Sequence, residues 1–356
     1  MGRNKQFFDI IFVSLQSNCF FAKDLGLKRT LIIYDQHRQI VENQKDKVAT
    51  IGFFDGVHRG HCCLIHQVIE EAKKRGLKSV LLTFPEHPAK VLRPDVEMKL
   101  LTIQEEKEEL LATSGADFVA FLPFTRELAQ LSAHDFMQQV LKEQLQVKVL
   151  VIGYDHRFGH NRDEGFEDYV RYGKELGIEV VQAKELDCGK HVSSSTIRKA
   201  LAQGDVAVAQ DYLGYPYFLE GEVVEAFHIG RKIGFPTANI HVSHDKLIPQ
   251  NGVYAVSVRL EDGTEAYGML NIGSRPTLDN GSHVSIEVHI FHFHENIYGK
   301  HLRISFLKYI RKEQKFDSLE ELQAQLERDK EECEKLRMKN VELRMKNVEL
   351  RMKNVE

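Results

Sequence analysis

Gly52–His61, GFFDGVHRGH, decides how the first half of this chain folds. Before it, Val48–Phe54 (VATIGFF) is a short apolar run of strand character. After it, Leu64, Ile65, Val68, Ile69 and Ala72 recur at helical spacing until Gly76 stops them. Ser79–Phe84 (SVLLTF) then reads as a second buried strand, so the segment predicts a βαβ unit. The two histidines therefore flank a glycine where a strand becomes a helix. A helix N-terminus offers unpaired N–H groups and the positive end of a dipole, and so binds phosphate. His58 and His61 at that point can touch an anion that gathers charge during a reaction.

Outward from this unit, residues 31–200 continue to alternate. Phe118–Leu122, Val147–Ile152 and Ile178–Gln182 read as further strands, and 103–113, 132–145 and 163–176 as helices. The alternation predicts a parallel doubly wound sheet whose ligands lie at the carboxyl ends of the strands, with Val48–Phe54 as its first strand. Past Gly214-Tyr215-Pro216 the rhythm changes. Glu222–Val224, Gly252–Leu260, Ala266–Ile272, Val284–Phe293 and Leu302–Ile310 are short, alternating and divided by Gly, Asp and Asn, which predicts an antiparallel barrel. Ser318–Glu321 (SLEE) is a capping box that opens a closing helix, with Leu319, Leu322 and Leu326 on one face.

The chain ends in three unchanged copies of LRMKNVE, at 336–342, 343–349 and 350–356. Met338, Val341, Met345, Val348, Met352 and Val355 form a three–four seam with Leu343 and Leu350 beside it. Three heptads are the minimum for a coiled coil, so the tail reads as a solvated extension of the preceding helix.

Composition narrows the class. A net charge of −4 gives no polyanion-binding signal, so no nucleic-acid partner is expected. The five cysteines (19, 62, 63, 188 and 333) are odd in number and contain no CxxC pair, which predicts reduced thiols and a cytoplasmic protein. Cys62 and Cys63 read as small helix residues rather than redox groups. Phe7–Ala22 is the most apolar long stretch, but Asp9, Gln16, Ser17 and Asn18 interrupt it, so no membrane segment is expected.

Five further segments carry chemistry. Thr83–Pro88 (TFPEHP), with His87, ends the second strand, and Gly153–Gly159 (GYDHRFG), with Asp155 and Arg157, follows the strand 147–152. Val192–Arg198 (VSSSTIR) places Ser193, Ser194 and Ser195 before a helix starting near Thr196; such hydroxyls and free N–H groups suit a triphosphate, and Arg198 adds charge. In Gly230–Asn239 (GRKIGFPTAN), Thr237 and Asn239 are two apart and put two oxygen donors on one side of an extended chain, a pair able to hold Mg–ATP. Glu287 lies in an alternating strand where a carboxylate can face a cavity. His289, His292 and His294 invite a zinc site, but His289 points away from the other two and no cysteine or carboxylate completes the set. They read as a solvated strand face, and no zinc is expected.

GFFDGVHRGH and GRKIGFPTAN together resemble the motifs of the bifunctional riboflavin kinase/FAD synthetases of bacteria, over about Val48 to Lys335. The first resembles the signature of the HxGH nucleotidyltransferases and the second the riboflavin kinase motif. The resemblance implies a doubly wound parallel-sheet FMN adenylyltransferase domain over 31–212 and an antiparallel β-barrel riboflavin kinase domain with a closing helix over 213–335. Residues 1–30 are an unassigned N-terminal extension, and 336–356 the helical tail. The implied substrates are riboflavin, FMN and ATP, with Mg²⁺.

The implied residue roles divide by chemistry. His58 and His61 are transition-state contacts, with Gly52, Phe53, Asp55 and Gly60 in the nucleotide loop and Ser194, Ser195 and Arg198 as a triphosphate clamp. Asp55 either shapes the loop or is a turn former before Gly56. His87, Asp155 and Arg157, and Asn271, Arg275 and Tyr298, belong to the flavin and substrate loops. Gly230, Arg231, Gly234 and Pro236 line the kinase ATP site, Thr237 and Asn239 hold the metal, and Glu287 is the general base. Three positions depart from the family pattern: Ser195 for threonine, His156 for phenylalanine and Ala226 for glycine. A monomer or weak oligomer is expected, with 336–356 as the segment for any coiled-coil contact.

Overall fold

Lys47–Ile51 (β2) is buried at every position, as a strand covered on both faces must be. It is the centre of the sheet in a computed structural model that describes residues 32–35, 46–93, 95–154, 156–160, 163–184, 192–225, 234–276 and 282–353. The other strands are β1 (Ile32–Asp35), β3 (Lys78–Thr83), β4 (Phe118–Phe121), β5 (Val147–Ile152) and β6 (Glu179–Gln182). Their order is β1–β4–β3–β2–β5–β6; β1 runs antiparallel to β4 and all other pairs are parallel. The chain builds outward from β2 to β4, then returns to place β5 on the other side. The β2/β5 pair is thus the topological switch point, where a ligand crevice opens.

Helix α1 (Arg59–Arg75) follows β2. Alternate strand residues divide between two layers, as the period of two requires. Val48, Val149 and Val151 cluster with Val68 and Ala72 of α1. Ala49, Ile51, Leu150 and Ile152 cluster instead with Phe136, Met137, Val140, Leu141 and Tyr169. Two sequence expectations shift here. Strand β2 stops at Ile51, because Phe54 is already at φ 56°. The sheet also begins one strand earlier, at β1.

The later helices are α2 (Pro88–Leu92), α3 (Gln104–Ala112), α4 (Arg126–Ala129), α5 (Ala133–Phe136, continued by π-helical turns over Met137–Gln144), α6 (Phe166–Leu176), α7 (Ser194–Ala202) and α8 (Val206–Leu213); α3, α5, α6 and α7 fall at expected positions, whereas α2, α4 and α8 are additional. The helix α7 begins at Ser194 rather than near Thr196, because Ser193 is the N-cap and its Oγ accepts Thr196 N–H at 3.3 Å.

Six antiparallel strands then close a barrel: β7 (Phe218–Val224), β8 (Ala238–Val242), β9 (Gly252–Leu260), β10 (Glu265–Pro276), β11 (Ser282–Ile290) and β12 (His301–Arg311), in the order β10–β11–β8–β7–β12–β9. Leu219, Val223, Ile240, Val256, Leu270, Val288 and Phe306 fill it. Strand β8 was not anticipated; it begins inside the PTAN motif, whose glycine and proline read as turn. Strand β11 ends at Ile290, not Phe293, and His292 sits in a turn at φ 56°. His289 is only 8% exposed, which overturns the reading of the three histidines as a solvated strand face.

Helix α9 (Leu319–Lys353) is capped as its box predicts, with Glu321 N–H donating to Ser318 Oγ at 3.2 Å, and it runs without a break into the repeats. Its buried side differs from expectation: Leu319 is exposed, whereas Leu326, Cys333 and Leu336 cluster with Phe235, Ala255, Met269 and Phe291. Asp329, 2% exposed, accepts from Arg311 Nε at 3.0 Å and from Nη2 at 2.8 Å. That forked pair ties α9 to the end of β12.

Two compact units result. One holds the described residues of Met1–Phe53, Leu64–Glu97 and Glu108–Leu186; the other holds those of Phe54–Cys63, Met98–Lys107 and Asp187–Glu356. The histidine loop and the start of α1 thus belong to the unit that contains the barrel.

Candidate active sites

The loop Phe54–Gly60 bends sharply before α1. Phe54 and Val57 adopt φ of 56° and 35°, a region that costs a non-glycine residue about 1–3 kcal/mol. Gly56 lies between them at φ 78°, and a Cβ there would stand 2.9 Å from Leu101 Cδ1. Five contacts hold this conformation. Gly56 N–H donates to Thr102 Oγ1 at 3.0 Å, and Gly56 C=O accepts from Tyr215 Oη at 2.7 Å. Asp55 Oδ1 accepts from Leu101 N–H at 2.9 Å and from Thr102 N–H at 3.2 Å, while Oδ2 pairs with Arg198. Burial pushes the Asp55 carboxyl above its ordinary range, and Arg198 and the two N–H groups pull it back. Asp55 is therefore a loop-shaping residue.

His58 and His61 meet at the start of α1. Their rings stack with centroids 3.6 Å apart, and His61 N–H donates to His58 Nδ1 at 3.3 Å. His58 is buried and His61 half-buried. A Cβ at Gly60 would lie 3.2 Å from the His58 ring and would press on it. Ser194, in the first turn of α7, donates through Oγ to Asp55 C=O at 3.0 Å, and Ser195 beside it is exposed. His58, His61, Asp55, Gly60, Ser194 and Arg198 are thus gathered in one unit. Two helix N-termini lie among them, and this arrangement can bind and polarise a polyphosphate.

The switch-point loops belong to the other unit. Gly52 N–H donates to Leu82 C=O at 3.0 Å, and Phe53 C=O accepts from Thr83 Oγ1 at 3.2 Å. Phe53 packs edge-on to His87 at 4.4 Å, and His87 Nδ1 caps α2 by accepting Ala89 N–H at 3.0 Å. Arg157 is exposed, His156 is half-buried beside Phe158, and Asp155 lies outside the described residues.

In the barrel, strand register assembles the second site. Asn271 of β10 is opposite Glu287 of β11, which is opposite Asn239 of β8, so the three form a row across adjacent strands. Thr237 donates through Oγ1 to Glu287 Oε2 at 3.5 Å. Thr237 and Pro236 also line a cavity of about 390 Å³ with Val223, Ile290, Phe293 and Tyr298. Pro236 C=O is fixed by His289 Nδ1 at 2.7 Å, and burial lowers the His289 pKa, which favours the neutral ring. Gly234 is described at φ 82°, whereas Gly230, Arg231 and Ala226 lie outside the described residues. Arg275 is placed on β10 by its backbone, opposite His283.

The donor set at this site is hydroxyl, amide and carboxylate oxygen, which suits magnesium. Among the described residues no group of three His, Cys, Asp or Glu is arranged to hold a metal ion.

Sequence reasoning missed the residues that hold these sites. Thr102 and Tyr215 grip Gly56 from 46 and 159 positions away, and no local pattern announces them. His289 could have been found, since it shares a strand face with Glu287 at the i, i+2 spacing.

Comparison with known proteins places two family models on the chain: FAD synthetase over residues 40–197 and riboflavin kinase over residues 213–337. A bifunctional riboflavin kinase/FMN adenylyltransferase of Escherichia coli (strain K12) is 39% identical over 287 residues, which is 80% of this chain and 91% of that protein. The Bacillus subtilis (strain 168) protein of the same name is 36% identical over 319 residues, 85% of this chain and 96% of its own. A crystal structure from Streptococcus pneumoniae, named as a macrolide-efflux protein, superposes with a TM-score of 0.75 at 32% identity, over 83% of this chain and 96% of that one. No helix among the described residues is long and apolar enough to cross a membrane.

Proposed function

Because the chain belongs to the bifunctional riboflavin kinase/FMN adenylyltransferase family, we propose that the two residue sets above divide its chemistry. The enzyme phosphorylates riboflavin to FMN with ATP, then adenylylates FMN to FAD with release of pyrophosphate.

In the kinase step, the Glu287 carboxylate accepts the proton of the ribityl hydroxyl as its oxygen attacks the γ-phosphorus of ATP, whose bond to the β–γ bridging oxygen breaks to release ADP. Thr237 and Asn239 would hold magnesium, which when bound screens phosphate charge. Tyr298 and Pro236 line the neighbouring cavity. The observation that carries this assignment is the cross-strand row Asn271–Glu287–Asn239, with Thr237 against the carboxylate.

In the adenylyl step, an FMN phosphate oxygen attacks the α-phosphorus of ATP, so no protein nucleophile is needed. His58 and His61 donate to oxygens that gain charge, and the α7 N-terminus with Ser194, Ser195 and Arg198 holds the triphosphate. Asp55 keeps Arg198 oriented toward that end of the helix. The two matched ranges, 40–197 and 213–337, support dividing the chain into an adenylyltransferase domain over 31–212 and a kinase domain over 213–335. A cytoplasmic location and a monomer or weak oligomer complete the reading. Three free thiols among the described residues and three short heptad repeats support it.

The test supplies riboflavin, ATP and Mg²⁺ and follows flavins by chromatography. FMN should appear first and FAD second, with both absent when a chelator replaces the metal. Accumulation of FMN without any FAD would overturn the adenylyl half of the reading.

A further inference from the structure

The 98–107 segment is held by a buried ion pair that neither chemistry uses. Lys246, in the connection between β8 and β9, and Glu106, in the first turn of α3, each have side chains 1% exposed, with Nζ 2.5 Å from Oε2. The same ammonium donates to Leu101 C=O at 2.8 Å and lies over the rings of Tyr217 and Phe218 at 4.7 and 4.8 Å. The backbones are joined on either side: Leu100 N–H donates to Asp245 C=O at 2.7 Å, and Leu247 N–H to Leu100 C=O at 2.8 Å. Leu101 is therefore clamped at both polar groups. Its carbonyl accepts from Lys246, and its N–H donates to Asp55, one residue before Gly56 and three before His58.

A pair of buried charges is a poor way to gain stability, because apolar residues of equal volume do as well or better. What it supplies here is direction. The ammonium fixes the peptide plane shared by Leu101 C=O and Thr102 N–H, while Leu247 N–H holds the preceding plane, shared by Leu100 C=O and Leu101 N–H. Thr102 N–H and Leu101 N–H in turn orient the Asp55 carboxylate and, through it, the strained turn bearing the histidines.

We propose that Lys246 is a positioning residue for adenylyl transfer: through Leu101 and Asp55 it sets the geometry of the His58–His61 loop, although it lies in the part of the chain matched as riboflavin kinase. The proposal rests on the reading that this loop performs the adenylyl step. A group aimed at the transition state is sensitive to displacements of about 1 Å, which cost on the order of 100-fold in rate.

The test compares three full-length variants in steady state, each checked for folding by circular dichroism. Glu106→Gln with Lys246→Met removes both charges together, so no lone charge stays buried. Its kcat for FMN adenylylation should fall about 10- to 100-fold, with KM for ATP and FMN changed less than about threefold and riboflavin phosphorylation unchanged. Glu106→Gln alone keeps the bond from Lys246 to Leu101 and should retain kcat within about threefold. His61→Ala is the reference for loss of the adenylyl step.

If His61→Ala is slow but the double variant is not, the positioning role is overturned and the loop assignment stands. If Glu106→Gln alone is as slow as the double variant, the Lys246–Leu101 bond is not what matters and the proposal is overturned. If neither His61→Ala nor the double variant is slow, the assignment of the loop falls, and the proposal with it.

Discussion

The two sites are built by opposite means. In the barrel, Asn271, Glu287 and Asn239 become neighbours through the register of adjacent strands, and one hydroxyl from the PTAN stretch completes the set. Sheet pairing places them, and few outside contacts are needed. The histidine loop has no such scaffold. Its turn runs through positive φ at Phe54, Gly56 and Val57, and it is held at Asp55 and Gly56 by Leu101, Thr102, Arg198 and Tyr215 from distant parts of the chain. A strand site is pinned by its own backbone; a strained loop needs external anchors.

The largest effects should appear when the chemistry of each site is removed. Glu287→Ala takes away the proposed base for the ribityl hydroxyl and should slow riboflavin phosphorylation about 10²- to 10⁴-fold. The same variant, given FMN directly, should still form FAD. His61→Ala should do the converse, lowering FAD formation about 100- to 1000-fold while riboflavin still becomes FMN. Flavin chromatography distinguishes the cases. If either change stops both steps in a folded protein, the contrast between two independent sites is wrong.

These residues were legible in the sequence because each lies in a dense motif: GFFDGVHRGH, VSSSTIR, GRKIGFPTAN and SIEVH. The parallel sheet was legible as alternation of buried strands and amphipathic helices, since the period of each element is imposed by burial. The barrel was legible apart from β8, because glycine and proline in its approach mask a strand whose pairing with β7 and β11 outweighs local propensity. The anchors were not legible. Tyr215, Thr102 and Lys246 act through hydrogen bonds across 46 to 159 positions, and a one-dimensional pattern holds no record of such closure.

Stability and turnover should separate differently in the two regions. Asp329→Ala breaks the forked pair with Arg311 and leaves a guanidinium buried without its carboxylate, at a cost of about 3–5 kcal/mol. Urea unfolding should show that loss, yet riboflavin phosphorylation per folded molecule should stay near wild type, since register still places Glu287. Gly56→Ala should cost less, about 1–2 kcal/mol for a side chain at φ 78°, but should slow FAD formation because the strained turn must shift away from Leu101. An Asp329 variant with sound folding but impaired kinase turnover would show that the barrel site also leans on a remote anchor.

The smallest expected effect concerns acid and His289, whose ring holds the Pro236 carbonyl beside the barrel site. Its pKa is lowered by burial, so the unfolded chain binds its proton more readily than the folded one. The stability it contributes is complete above the ordinary histidine value, about 6.5, and is lost as pH falls through the lowered value of the folded state. Protonation also places charge among Phe235 and Phe291, beside the carbonyl of Pro236 that precedes Thr237. Urea midpoints measured between pH 7.5 and pH 5 (chosen to bracket the ordinary histidine value) should therefore fall more steeply for wild type than for His289→Gln, whose amide can still donate to Pro236. Riboflavin phosphorylation by that variant should remain close to wild type at neutral pH. Equal slopes would mean that His289 titrates alike in both states and that register alone holds the PTAN strand in place.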